Sequence, residues 1–138
     1  MRVAALDVGE ARIGVAVSDA LGITAHGIGV VKRVGGRRDL EALAEMLRPY
    51  EPERLVVGLP LSLDGTEGPQ AAKVRAFATR AAEHLGLPLE FWDERLTTVE
   101  AERVLVAADV SRRRRRDLVD KVAATIILQS YLARRGAS

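Results

Sequence analysis

LDVGEARIGVAVSD, residues 6–19, puts an acid, Asp7, near the end of one apolar run and follows it, across a glycine-containing turn, with a second apolar run. A buried strand excludes charge unless the charge is paired or used, so this segment decides both the fold and the search for a site. Val3 to Val8 and Ile13 to Ser18 are short, rich in Val, Ile and Ala, and separated by a turn, which predicts two strands. A third run, roughly His26 to Lys32, predicts another. Further along, DLEALAEMLRPYEP (39–52) sets Leu40, Leu43, Ala44 and Leu47 at helical spacing and is expected to stop at Pro49. RLVVGLP (54–60) predicts a fourth strand broken by Gly58 and Pro60. SLDGTEGP (62–69) is a loop whose Pro69 suits the first turn of a helix reaching about Leu85. LPLEFWDE (87–94) predicts a fifth strand. TTVEAERVLVAAD (97–109) opens on a capping-box pattern, Thr97 with Glu100, and LVDKVAATIILQSYLARR (118–135) gives a last helix. The order β-β-β-α-β-α-β-α-α predicts an α/β fold: a five-stranded mixed sheet, its first three strands antiparallel, with helices on both faces.

Composition narrows the class. A chain of 138 residues, 48% hydrophobic and 29% charged, is expected to form one domain over 1–138 with an ordinary globular core. There is no cysteine, hence no disulfide framework and no thiolate metal site, which suits a reducing cytoplasm. No run approaches the roughly 18 apolar residues of a membrane span, so no membrane partner is expected. The net charge of +2 hides an asymmetry: from Asp109 onward eight Lys/Arg stand against three Asp/Glu, and before it thirteen stand against sixteen. The excess lies in the five arginines Arg112, Arg113, Arg114, Arg115 and Arg116. Such a run is either a solvated loop or a contact for a polyanion such as nucleic acid. With two Phe, two Tyr and one Trp, stacking on an aromatic platform is not the expected mode of recognition; backbone and shape are.

The acids gain meaning from the scaffold. Asp7 closes the first strand before Gly9, Asp93 and Glu94 close the fifth, and Asp120 shares a helix face with Ala123, Ala124, Ile127 and Tyr131. Each alone has a bland explanation as a turn former, a helix-dipole partner or a frayed edge. Together they suggest a cluster, and repelling carboxylates persist close together chiefly when a cation sits among them. Oxygen donors without Cys or a suitable His favour Mg²⁺ or Mn²⁺ over zinc. Thr97 and Thr98 are assigned to the cap of the following helix, and His26 and His84 receive no role.

The blocks LDVGEARIGVAVSD, VVGLPLSLDGTEGPQAAKVRAFA, WDERLTTVEAE and RRRRRDLVDKVAATIILQSYL resemble, in order and over nearly the whole chain, the signature blocks of the YqgF family. Members of that family are described as pre-16S ribosomal RNA nucleases and as Holliday-junction-resolvase-like proteins with a ribonuclease H-like fold. The resemblance implies a catalytic, metal-holding set of Asp7, Glu94 and Asp120 and a precursor rRNA or branched DNA as partner; two divalent ions held there, about 3.5–4 Å apart, would activate a water, neutralise a phosphoryl centre and stabilise a leaving oxygen, with Arg12, Arg95 and the arginine run as candidates for holding the phosphate backbone. A monomer or a homodimer is expected. In related resolvases an acid ends the fourth strand, where this chain has GLP (58–60). No role passes to Asp117, and Asp93 is expected to point away from Glu94. Two other classes are weighed beside the nuclease. The first hairpin also resembles the phosphate loop of actin-like ATPases and sugar kinases, whose second domain 138 residues are not expected to supply. A nucleic-acid-binding protein that does not cleave is the other.

Overall fold

The first hairpin sets the frame. β1 (Val3–Val8) and β2 (Arg12–Ser18) pair antiparallel with Asp7 opposite Gly14, and β3 (Ala25–Lys32) pairs antiparallel with β2. These belong to a computed structural model that describes residues 1–96, 108 and 115–137. The helix expected over 97–109 and the arginines Arg112, Arg113 and Arg114 lie outside the described residues. α1 (Arg37–Leu47) leads through a 3-10 turn, Arg48–Tyr50, to β4 (Arg54–Leu59). α2 (Pro69–Leu85) leads to β5 (Leu89–Asp93) and a second 3-10 turn, Glu94–Leu96. The last helix, α3, spans Arg115–Ala137 and so includes Arg115 and Arg116. β4 lies parallel to β1 and to β5, giving one five-stranded sheet in the order β3-β2-β1-β4-β5.

Every residue of β1 is buried, because helices cover both sides of the sheet. Leu6, Ile13, Val15, Leu55 and Val57 meet Leu43 and Leu47 of α1 and Val74, Phe77 and Ala81 of α2. Val3, Ala5, Ala16 and Val56 meet Ala123, Ala124, Ile127 and Leu128 of α3. Each large aliphatic side chain so buried contributes about 1.5–3 kcal/mol. The α3 side is built from small residues. A Cβ on Gly14 would lie 2.0 Å from the Asp120 carbonyl oxygen, and one on Gly27 would lie 2.5 Å from Lys121 Cγ. The helix therefore rests directly on the backbone of β2 and β3.

Three local expectations change. Gly58 does not break the fourth strand, which continues through it to Leu59; with neighbours on both sides the ladder tolerates a missing side chain. α1 ends at Leu47, and Pro49 sits inside the 3-10 turn that follows it. Glu94 opens a 3-10 turn rather than closing β5, so the strand ends at Asp93.

α1 has no side-chain cap at Gly36, and its first turn is secured otherwise. Asp39 is 2% exposed and accepts from the backbone N–H groups of Val34 at 2.9 Å and Gly35 at 3.2 Å, with Arg33 Nε at 3.6 Å. Removing this carboxylate strands two donors. Asp39→Ala is expected to cost about 1–3 kcal/mol, seen as a lower urea midpoint at unchanged slope.

Candidate active site

β1 and β4 run parallel, and Leu6 pairs with Val57, so Gly58 follows beside Asp7 while Gly14 flanks Asp7 on the other strand. Side chains alternate along a strand. Ala5 packs on the α3 side and Leu6 on the other, which sends Asp7 toward α3. It is 6% exposed. The two glycines beside it leave the backbone bare, and each is covered by an acidic residue from another element. Above Gly14 lies the Asp120 backbone of α3. Above Gly58 lies the Glu94 side chain, with Oε1 2.9 Å from where a Cβ would stand. The Glu94 carboxylate thus fills space at the end of β4 that a larger residue 58 would take.

Asp120 is half-buried, on the face of α3 that buries Ala123, Ala124, Ile127 and Tyr131. Its Oδ2 accepts from Arg12 Nε at 2.9 Å. Arg12 opens β2 two residues before Gly14, on the same side of the sheet, which is why the pair can form. The pair links the first described turns of α3 to the start of β2. Among the described residues, no group of three or more His, Asp or Glu is gathered to hold a metal ion. Asp7, Asp120 and Glu94 share one side and one end of the sheet, with the Asp120 carboxylate turned onto Arg12.

Arg95 is engaged. Its Nη2 donates to Asp93 Oδ2 at 2.7 Å, its Nε lies 3.1 Å from both Asp93 oxygens, and its Nη1 donates to the Leu63 carbonyl at 3.1 Å. The Arg95 hydrogen bonds hold the Asp93 carboxyl below the usual range, and the same contact holds the guanidinium above its own. This clamp ties the loop after β4 to the turn that carries Glu94. In the same loop, hydrogen bonds from the Thr66 side chain and backbone keep Asp64 ionised to lower pH than usual. Asp93, one residue before Glu94, pairs with Leu59 and faces away from α3, as expected.

Sequence reasoning missed two supports. Arg33 donates from Nη1 to the Gly9 carbonyl at 2.8 Å and lies 4.7 Å from the Phe77 ring centroid, so it braces the turn that follows Asp7 against α2. Gly58 gives Glu94 its space. The signal for Gly58 was present, a glycine inside a strand pattern, which marks close approach as often as a break. Arg33 carried no signal, since its partners lie far away in sequence.

A family model described as RuvX: Holliday junction resolvase matches residues 1–134. A protein of Moorella thermoacetica named "Putative pre-16S rRNA nuclease" is 57% identical over 136 residues, covering 99% of this chain and 97% of the relative. One of the same name from Symbiobacterium thermophilum is 55% identical over 137 residues, covering 99% and 95%. Among solved structures, Thermus thermophilus RuvC in complex with a Holliday junction substrate aligns with a TM-score of 0.58 at 20% identity, covering 100% of this chain and 98% of that one. The fowlpox virus Holliday junction resolvase aligns with a TM-score of 0.53 at 17% identity, covering 97% and 99%. At these identities the likeness is one of fold. The expected ribonuclease H-like architecture, five mixed strands with the first three antiparallel, is the one observed.

Proposed function

This chain belongs to the RuvX family of Holliday junction resolvases, and from that premise we propose that it is a metal-dependent nuclease that hydrolyses phosphodiester bonds in precursor 16S rRNA. The substrate follows the names of relatives that match almost end to end. The observation that carries the chemistry is the pair of bare glycines around buried Asp7, with Glu94 reaching over one and Asp120 placed over the other. In the proposal Glu94 supplies, from the turn after β5, the carboxylate that related resolvases carry at the end of strand four.

The donors fit a hard divalent cation, Mg²⁺ or Mn²⁺: all are carboxylate oxygens, and the chain has no cysteine. Asp7, Glu94 and Asp120 would hold it. When bound, such ions make a water nucleophilic and stabilise the charge of the transition state and the leaving oxygen. The protein does the rest. Asp7 is fixed by a strand buried on both faces. Glu94 is placed by the Arg95 clamp, which gives Arg95 a positioning role as well as a charge near the strand. Asp120 turns from Arg12 into the site, and the released Arg12 guanidinium holds a phosphate of the nucleic acid, for which its planar fork is suited. Arg112, Arg113, Arg114, Arg115 and Arg116 extend that contact along the backbone. We place this work in a single domain, in the cytoplasm, by a monomer or homodimer.

The family's description, and the Holliday junction bound by the Thermus thermophilus RuvC that shares this fold, favour a second reading, resolution of branched DNA. Cleavage of precursor rRNA and of a four-way DNA junction, side by side with Mg²⁺ or Mn²⁺, separates the two. Selective cutting of the RNA is the expected result. Cutting of the junction alone would move the assignment to recombination, and binding without turnover of either would leave a nucleic-acid-binding factor.

The arginine run makes its own prediction. Replacing Arg113, Arg114 and Arg115 with Ala should weaken binding of all sequences about equally and flatten its salt dependence by roughly 0.7–0.9 in slope per lost phosphate contact. Thermal stability should be little changed. An unaltered slope would make the run a solvated segment.

A further inference from the structure

β3 is the edge of the sheet beside β2, and α3 rests on it. Lys121 Cγ lies 2.5 Å and Cδ 3.2 Å from where a Cβ on Gly27 would stand, and the Ala25 N–H donates to Gln129 Oε1 at 3.2 Å. The two segments share a property. There is no acid from Ala20 to Arg38 and none from Lys121 to Ser138, so a strand and a helix far apart in the chain meet in one face whose own residues carry no carboxylate. Two cations stand on it. Lys32 closes β3 directly opposite Arg12, and residues so paired send their side chains to the same side of the sheet, which for Arg12 is the side of Asp120. Lys32 is exposed; Lys121 is half-buried, its stem laid over Gly27. Arg12 is compensated by Asp120. Among the described residues, neither the Lys32 nor the Lys121 ammonium has an ion pair or a hydrogen bond. A cation directly opposite another is disfavoured, and a half-buried ammonium without a partner costs more, so packing alone gives no reason for charge at these positions. A polyanion crossing the face does.

The face continues the line of the acids. Across the sheet stand Glu94 over β4, Asp7 on β1, Asp120 with Arg12 at β2, and then Lys32 on β3. Two strand spacings put β3 about 10 Å from β1. Along the edge, Gly27 and Lys32 pair with Ala16 and Arg12, four residues apart on β2, or about 13 Å. The two ammonium groups therefore mark a line rather than a pocket, which suits successive singly charged phosphodiesters better than one compact ligand. We infer that the β3 edge beside α3 is a track for the phosphate backbone of RNA, with Lys32 and Lys121 as its cations, carrying the strand away from the acids across β2 and β3. This rests on the reading of the chain as a nuclease acting on RNA and adds to it the side on which the strand leaves.

In chelator, binding is measured apart from cleavage. A labelled single-stranded RNA with the sequence of a precursor 16S rRNA segment is titrated with the full chain at several salt concentrations. Lys32→Gln is expected to flatten the dependence of log affinity on log salt by about 0.7 in slope, and Lys32→Gln with Lys121→Met by about 1.4, for contacts to a single strand. Methionine keeps a stem over Gly27 without its charge, and Lys121→Arg, which retains the charge, should keep the wild-type slope. Matching thermal unfolding shows that the fold is kept, and Lys32→Gln, at an exposed position, carries the test by itself if the Lys121 variant is less stable. Arg48→Gln is the control: it removes the same unit of charge from an exposed arginine paired with Glu45, beside Tyr50, whose carbonyl accepts from Arg2 at the far end of β1. Its slope should be that of wild type. An equal change in Arg48→Gln, an unchanged slope in Lys32→Gln, or failure of wild type to bind the RNA would overturn the track. The expected slopes in a protein that cuts neither RNA nor a DNA junction would leave the track standing and remove the nuclease, so the two readings fail separately.

Discussion

Asp7→Asn is expected to lower metal-dependent cleavage by about a hundredfold or more, the scale of losing a ligand that sits at the centre of a metal site, while the folded state is kept. The two halves have one cause. Asp7 is almost fully buried in the middle of a sheet, where an ionised carboxylate is desolvated and disfavoured unless a cation offsets it. Asparagine keeps the shape and removes the charge, so the strand is kept while the cation loses its central ligand. Millimolar Mn²⁺ or Mg²⁺ should raise the melting temperature of wild type, as a ligand that binds only the native state must, and should not raise that of the variant. Equal thermal shifts in both proteins, with cleavage retained, would sink Asp7 as the central ligand.

Much of this was legible in the sequence because it is local. Alternating and runlike apolar patterns placed all five strands, and the spacing of Asp120 from Ala123, Ala124, Ile127 and Tyr131 put it on the buried face of α3, where the structure has it. Strand parity places Asp93 on the side away from α3, but Glu94 lies in the turn after the strand, so its place over Gly58 follows from that turn and not from parity. What was not legible depends on which strands become neighbours. Gly58 looks like a strand breaker until β4 is known to lie between β1 and β5, where Glu94 needs the space. Arg95 looks like a free phosphate ligand until the loop before α2 is folded back against it. Arg12 and Asp120 are 108 positions apart, and no periodicity connects them. Charge pairs between distant segments are set by register, and register follows from the packing of both faces together.

The two glycines beside Asp7 should respond to alanine in opposite ways, and the contrast tests the site more sharply than deleting an acid. At Gly14 the new Cβ meets the carbonyl oxygen of Asp120 at 2.0 Å and its carbonyl carbon at 2.5 Å, which are backbone atoms in the middle of a helix. They can yield only if α3 lifts from the sheet. Overpacking of this kind costs about 1–3 kcal/mol and sometimes more, against a gain of about 0.4–1 kcal/mol from stiffening the unfolded chain, so Gly14→Ala should be clearly destabilised. At Gly58 the new Cβ meets Ile127 Cδ1 at 2.6 Å and Glu94 Oε1 at 2.9 Å. Both are ends of side chains that can swing aside, so the loss of stability should be smaller. The carboxylate that swings is Glu94, however, and displacement of a reacting group by about 1 Å can cost on the order of a hundredfold in rate. Urea unfolding and cleavage measured on both variants should therefore show Gly58→Ala losing more activity than its stability explains. If Gly58→Ala cleaved at the wild-type rate with Glu94 pushed away, Glu94 would not belong to the active set, and the acid completing it would have to come from another residue.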